Sequence, residues 1–211
     1  MAGFSTVMIC NMALSHIGRG KIESLDEQSA AARECKLWYD IARRTSLEAH
    51  DWKFARKRQY GALSSEDPPP TWSFRYQYPA DCLVLRKIVN PLSDGVPLLA
   101  QDGYQQFASD AIPFTTEVSS DGSANTVLTN AEQALFVYTF DQTSVAMFSS
   151  LFVDMMSYQL AHKMAFALTG KASLKKDMLD AYTGLLRTAP IVNANEGMDA
   201  PPRDAEWIRG R

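Results

Sequence analysis

The side chains able to do chemistry are few and scattered. Of the three histidines, His16, His50 and His162, none has another histidine, a cysteine or a carboxylate three or four residues away. Metal sites are commonly built on such spacings, so no metal ligand set is expected. Cys10, Cys35 and Cys82 are odd in number and include no CxxC pair, which argues against a zinc ribbon or a disulfide framework and for reduced thiols. Cys35 or Cys82 could meet a histidine in space as nucleophile and base, but burial as a small apolar group is the commoner fate of such a cysteine. Glycoside hydrolysis needs two carboxylates about 5–10 Å apart across a cleft. The candidate pairs are Asp26 with Glu27, Glu48 with Asp51, and Asp177 with Asp180; acids spaced this way are ordinarily solvated surface. The chain has no GxSxG, Walker A or GxGxxG segment. No catalytic residue and no cofactor is therefore expected.

The bases are better organised. Arg43, Arg44, Lys53, Arg56, Lys57 and Arg58 cluster around Trp52 and Phe54, the texture of a nucleic-acid patch or of a basic face that meets an acidic neighbour. A net charge of −3 disfavours a protein that coats DNA or RNA. Arg43, Arg44, Arg56 and Arg58 are accordingly expected to face acids of an adjacent subunit. Residues 1–60 carry a balance of +3 and the remainder −6. Between Lys87 and Lys163 lie 75 residues without a single Lys or Arg, and Asp94, Asp102, Asp110, Glu117, Asp121, Glu132, Asp141 and Asp154 all fall there. Such a stretch aids solubility; it also suits a surface that must not hold a polyanion.

With 211 residues and 46% hydrophobic content, the chain has material for one core, or one core with an insertion. Met1–Gly18 lacks a basic start and is interrupted by Asn11, Ser15 and His16, unlike a secretion signal. The most apolar segment, 145–168, contains Asp154, Gln159, His162 and Lys163, and reads as a buried helix, not a membrane span. A protein made in a cytoplasm, without a membrane partner, is the expectation.

Helical spacing of Val7, Cys10, Leu14 and Ile17 predicts a first helix, capped by Ser5 or Thr6 and stopped at Gly18. Ser24 with Glu27 has the form of a capping box, so a second helix is expected from there to about His50. Beyond Asp51 the texture changes. Trp72, Phe74, Tyr76 and Tyr78 alternate as in a half-buried strand, and 82–89, 114–118, 126–128 and 135–140 read as further strands, with Asp121-Gly122 as a turn. A central helix is expected from Val145 to Gly170, and an amphipathic one to about Ala189-Pro190. The fold class expected is α+β: an antiparallel four-helix bundle (1–51 and 145–189) interrupted by a small, mainly antiparallel β insertion (52–144), with an extended arm (190–211).

Cys10-Asn11-Met12-Ala13-Leu14 through His16-Ile17-Gly18, then Ile22 with Ser24-Leu25-Asp26-Glu27, then Cys35 and Tyr39-Asp40, His50-Asp51-Trp52-Lys53-Phe54-Ala55, Trp72 to Tyr78-Pro79 and Asp81-Cys82-Leu83 resemble the tail tubular protein A family. These are head-to-tail adaptors (connectors) of short-tailed bacteriophages. The likeness is strongest over residues 8–90. It implies a helical protein with a β insertion, located in the virion neck and assembled as a ring, commonly twelve-fold. The ring would lie beneath the portal protein and above the tail nozzle protein, with an axial channel for double-stranded DNA. The arm would then bind portal or neighbour through Ile191, Trp207 and Ile208, with Arg203, Arg209 and Arg211 pairing with carboxylates. Asp94, Asp102, Asp110, Glu117 and Asp121 would be channel-lining acids. Two alternatives remain open at this point: a tail-associated glycan hydrolase, an activity credited to some members, and a DNA-binding packaging factor.

Overall fold

The structure, a computed structural model, describes residues 4–89, 92–93, 96–97 and 111–195. Helix α1 spans Thr6–His16, with Ser5 Oγ accepting the Met8 N–H at its start. Gly18 follows its end at φ +68°, a left-handed turn that costs glycine little. Helix α2 spans Ala30–Ala49. Its cap is Ser29, whose hydroxyl accepts from the Ala32 N–H at 3.1 Å. The Ser24 capping box is therefore corrected: Ser24 Oγ accepts from Asp26 N–H and Glu27 Oε2 from Glu23 N–H, so the segment closes on itself as a turn and the helix starts later. Asn11 of α1 fastens this loop through the backbone of Ile22.

Helix α3, Ser150–Thr169, is capped by Ser149 and ends at Gly170 with φ +71°. It packs against both α1 and α2, as expected of a helix with buried residues around more than one face. Trp52, at the exit of α2, donates its indole N–H to the Ser46 carbonyl at 2.9 Å. Its ring meets Phe152 edge-on at 5.2 Å, and Phe54 and Phe148 close on the same ring; such pairs add to the area they bury. Helix α4, Ala172–Asn195, runs through Pro190. The expected stop at 189–190 is thus overturned: proline forfeits one hydrogen bond near the helix end, and the helix continues past it.

The strands are β1 (Arg56–Tyr60), β2 (Phe74–Gln77), β3 (Cys82–Val89), β4 (Leu92–Ser93), β5 (Val96–Pro97), β6 (Ala111–Ile112), β7 (Phe114–Val118), β8 (Asn125–Thr129) and β9 (Leu135–Phe140). They form sheets in the orders β1-β9-β3-β6, β2-β8-β7 and β4-β5. The β7–β8 register places Thr116 opposite Val127, and β2–β8 places Tyr76 opposite the same residue, both antiparallel. Tyr76 is buried and its hydroxyl donates to the carbonyls of Ala131 and Glu132 at 2.7 and 2.6 Å.

The expected four-helix bundle with a small insertion is overturned. Among the described residues the chain is a mixed α+β protein with four α-helices and sheets of four, three and two strands. It divides into two compact units, one of residues 4–57, Asp81–Leu85 and Tyr138–Asn193, the other of Arg58–Ala80 and Arg86–Val137. The division falls within β1, β3 and β9. Helix α4 is not an equal partner in a bundle: among its described side chains Tyr182 and Ala189 alone are buried. Helical periodicity detects an apolar stripe without its depth, and the stripe of α4 is narrow.

Candidate assembly interface

The expected basic face is largely consumed inside its own unit. Arg43 on α2 is 2% exposed. Its guanidinium donates to the Asp141 carboxylate, to the Gln142 carbonyl at 2.8 Å and to Asp40 Oδ1 at 3.3 Å. Arg44, whose side chain is 57% exposed, shares Asp141 at 2.9 Å. Burial pushes the Asp141 carboxyl up, but the hydrogen bonds and charges of Arg43 and Arg44 outweigh it and leave the group below its ordinary value. Arg56 makes a two-point pair with Asp51, at 2.7 and 3.1 Å. Lys57 pairs with Asp81 at 2.5 Å and lies over the Phe140 ring. Tyr138 donates to the other Asp81 oxygen at 3.0 Å. Arg58 is exposed on β1 and also has a partner. The face expected from sequence thus loses Arg43 to the interior and reduces to Arg44, Arg56 and Arg58.

The outward side of α2 is instead apolar at its centre. Leu37 is 58% and Ile41 46% exposed, one helical turn apart, bordered by exposed Arg33, Asp40, Arg44 and Glu48. Side chains four apart on a helix lie side by side, so the two aliphatics form one ridge. Met8 on α1, Phe166 on α3 and Leu179 on α4 are further exposed apolar residues of the same unit. The ridge is not among the features expected from the sequence. Its signal was Leu37 and Ile41 standing opposite Cys35, Tyr39 and Ala42.

Of the acids expected along a channel, Glu117 is exposed on β7 and Asp121 in the β7–β8 turn. Asp121 accepts from Ser119 Oγ, Ser123 Oγ and Ser123 N–H at 2.6–3.0 Å. These bonds, led by that of Ser119, hold its carboxyl at about 2. Asp94, Asp102 and Asp110 lie outside the described residues, as do Arg203, Trp207, Ile208, Arg209 and Arg211. Ile191 is described: it stands on α4, not in an arm, and is 67% exposed.

One constellation has the residue types of a nucleophilic site. His16 Nε2 lies 2.9 Å from Ser157 Oγ, and Asp154 is near enough to act on the imidazole by charge. Its geometry serves packing instead. Ser157 is fully buried and donates to the Asp154 backbone carbonyl at 2.7 Å, while the imidazole stacks on Tyr158 at 3.9 Å. Burial lowers the His16 pKa, and Asp154 opposes that in part. Among the described residues no three metal-ligating side chains converge, and no helix is long and apolar enough to cross a membrane. No protein-family model matches the chain, and no curated protein matches it.

Proposed function

We propose that this protein is a structural head-to-tail adaptor of a phage virion. On this reading it forms a ring, most simply of twelve copies, between the portal protein and the tail nozzle protein, and DNA passes through the axial channel without being held. The role is mechanical and assigns no residue to catalysis. The observation that carries the reading is the Leu37–Ile41 ridge at the centre of the solvent side of α2. Burying two aliphatic side chains is worth about 1.5–3 kcal/mol each, and a helix that serves only its own core has no use for them on that side. Three polar side chains of the segments that resemble the adaptor family have structural partners: Asn11 on Ile22, Trp52 on Ser46, Asp81 on Lys57 and Tyr138.

Glu117 and Asp121, with Asp94, Asp102 and Asp110, are proposed to line the channel. A Lys or Arg there would hold phosphates by counterion release, whereas a carboxylate repels them. That repulsion is screened over about 10 Å at 0.1 M salt, so it acts on DNA close to the wall. Ile191, Trp207 and Ile208, with Arg203, Arg209 and Arg211, are proposed to contact the portal or a neighbouring copy. Electron microscopy of the full chain mixed with its portal tests the assignment. Rings seated on the portal support it, and single copies that leave the portal bare overturn it.

A further inference from the structure

The sheet β2-β8-β7 has one covered edge and one open edge. Beside β2 the chain itself extends the ladder: Gln77 donates its N–H to the Ala62 carbonyl, and Ser64 donates to that of Arg75, both at 2.8 Å. Beyond β7 no described strand follows. Two hydrogen bonds fix which backbone groups of β7 point away from the sheet. Ser119 N–H donates to the Ala124 carbonyl at 2.7 Å, and Tyr78 N–H to that of Asn125 at 3.3 Å. Bonded and non-bonded pairs alternate along an antiparallel ladder. In the β7–β8 register, Thr115 and Glu117 therefore turn their N–H and C=O toward β8, while Phe114, Thr116 and Val118 turn theirs outward. Among the described residues these outward groups have no partner. The open length has sharp ends. Ile112 is paired with Ile88 of β3, and Ser120 N–H donates to the Glu66 carboxylate at 3.2 Å. Open edges are ordinarily blunted by lysine, proline or a bulge. Phe114–Val118 contains neither Lys nor Pro, and Val118 is 56% exposed.

We propose that this edge pairs with β7 of a second copy, antiparallel about a two-fold axis at Thr116, so that two sheets become one continuous sheet. In that register Phe114 meets Val118 of the copy, Thr116 meets Thr116, and Thr115 meets Glu117. Every outward N–H and C=O of Phe114, Thr116 and Val118 then gains a partner. An aromatic opposite a β-branched residue and Thr opposite Thr are favourable cross-strand pairs, and no like charges stand opposite each other. Neighbouring registers are worse. Sliding by two residues one way sets Glu117 against Glu117 of the copy and leaves Phe114 outside the ladder; sliding the other way leaves Val118 outside. The strand is thus complementary to itself in one register, which singles out a second copy as the occupant. A two-fold contact closes on two copies and does not propagate around a ring, so the inference is separate from the adaptor reading. The few residues of β7 fall well short of the roughly 20–30 a side of a stable interface. The pair therefore forms at high protein concentration and dissolves on dilution.

The test uses the full chain without portal, in a Cys82→Ser background because Cys82 is partly exposed. Thr116→Cys places a thiol on the two-fold axis, where directly opposed Cα atoms lie about 5.5 Å apart, within reach of a disulfide. Val118→Cys is the control. It is on the same strand and exposed, but in the proposed register it lies four positions from its copy, about 13 Å along the strand. Under mild oxidation at high protein concentration, the Thr116→Cys chain should link to its copy at least about tenfold faster than the Val118→Cys chain, since only one pair of sulfurs is held in reach. In the parent background, Thr116→Pro removes an N–H that the chain's own sheet does not use, so it should fold and lose the pair. Sedimentation at rising concentration should show pairs for the parent and single copies for Thr116→Pro, with matching circular dichroism. Equal linkage rates at the two positions, no linkage at either, or a folded Thr116→Pro chain that pairs like the parent would overturn the proposal.

Discussion

The side-chain amide of Asn11 grips the backbone of Ile22 at both polar atoms, donating from Nδ2 to the carbonyl at 3.0 Å and accepting the N–H on Oδ1 at 2.8 Å. An asparagine is isosteric with a strip of backbone, so this contact works like one rung of a sheet between helix α1 and the loop that leads to α2. Ile22 is 3% exposed and anchors that loop in the helical core.

Replacing Asn11 with Ala strands one donor and one acceptor beside a buried side chain. The expected loss is about 1–3 kcal/mol of unfolding free energy. Asn11→Asp keeps the acceptor and loses the donor, so it should fall between Ala and the parent. Urea titration measures both, and an unchanged midpoint for the Ala variant would refute the assigned role.

Asp141 is the counter-charge of a buried arginine. Removing it in Asp141→Ala leaves Arg43 with Asp40 as its one remaining carboxylate, for an expected loss of about 3–5 kcal/mol. Arg44→Ala, which removes a half-exposed partner, should cost less than about 1 kcal/mol. The Asp141 carboxyl sits below its ordinary pKa in the folded protein. Its contribution is therefore complete above the unfolded value of about 3.9, and it is lost as pH falls through the lower folded value. Acid unfolding curves should show this fall in the parent and lack it in Asp141→Asn.

Two glycines predict opposite signs. A Cβ on Gly61 would stand 2.6 Å from the Tyr76 ring and 2.8 Å from that of Phe136. Gly61→Ala must displace two packed aromatics and should cost about 1–3 kcal/mol. Gly184 lies inside α4 with open space around its Cβ position. Gly184→Ala should stabilise by about 1 kcal/mol. Thermal midpoints of the two variants give the comparison.

Much of this structure is legible in local sequence. The start of α1 and the extents of β3, β7 and β9 follow from residue spacing, and β8 runs one residue further at each end than the expected 126–128. The start of α2 does not, because Ser24 and Ser29 both satisfy the rule for a cap and only the chain's path chooses between them. The partner of Arg43 lies 98 residues away, beyond any local pattern. Asp141 sits in the base-free stretch and looks like its other acids, yet among the described residues it is the one that pairs with α2. The Leu37–Ile41 ridge was hidden for another reason. Single exposed aliphatics are ordinary on any surface, and only their position at the centre of the outward side of α2 sets these two apart.

If Glu117 and Asp121 line a DNA channel, replacing both with Lys should slow genome release from assembled particles and make that rate depend steeply on salt. Asp121, held at about 2 by its serine partners, remains ionised at any pH at which particles are handled. Release at the parental rate in low salt would place these acids away from the DNA.

The most direct test of the adaptor reading is the particle mass of the Leu37→Glu, Ile41→Glu double variant, measured with and without portal beside the parent chain. Both side chains point to solvent, so the variant should keep the parental circular dichroism and thermal midpoint. The parent should give the mass of a ring or of a ring bound to portal, while the folded double variant should give the mass of a single copy. A parent that remains a single copy in the presence of portal would contradict the adaptor assignment. A double variant that assembles as well as the parent would contradict the role given to α2.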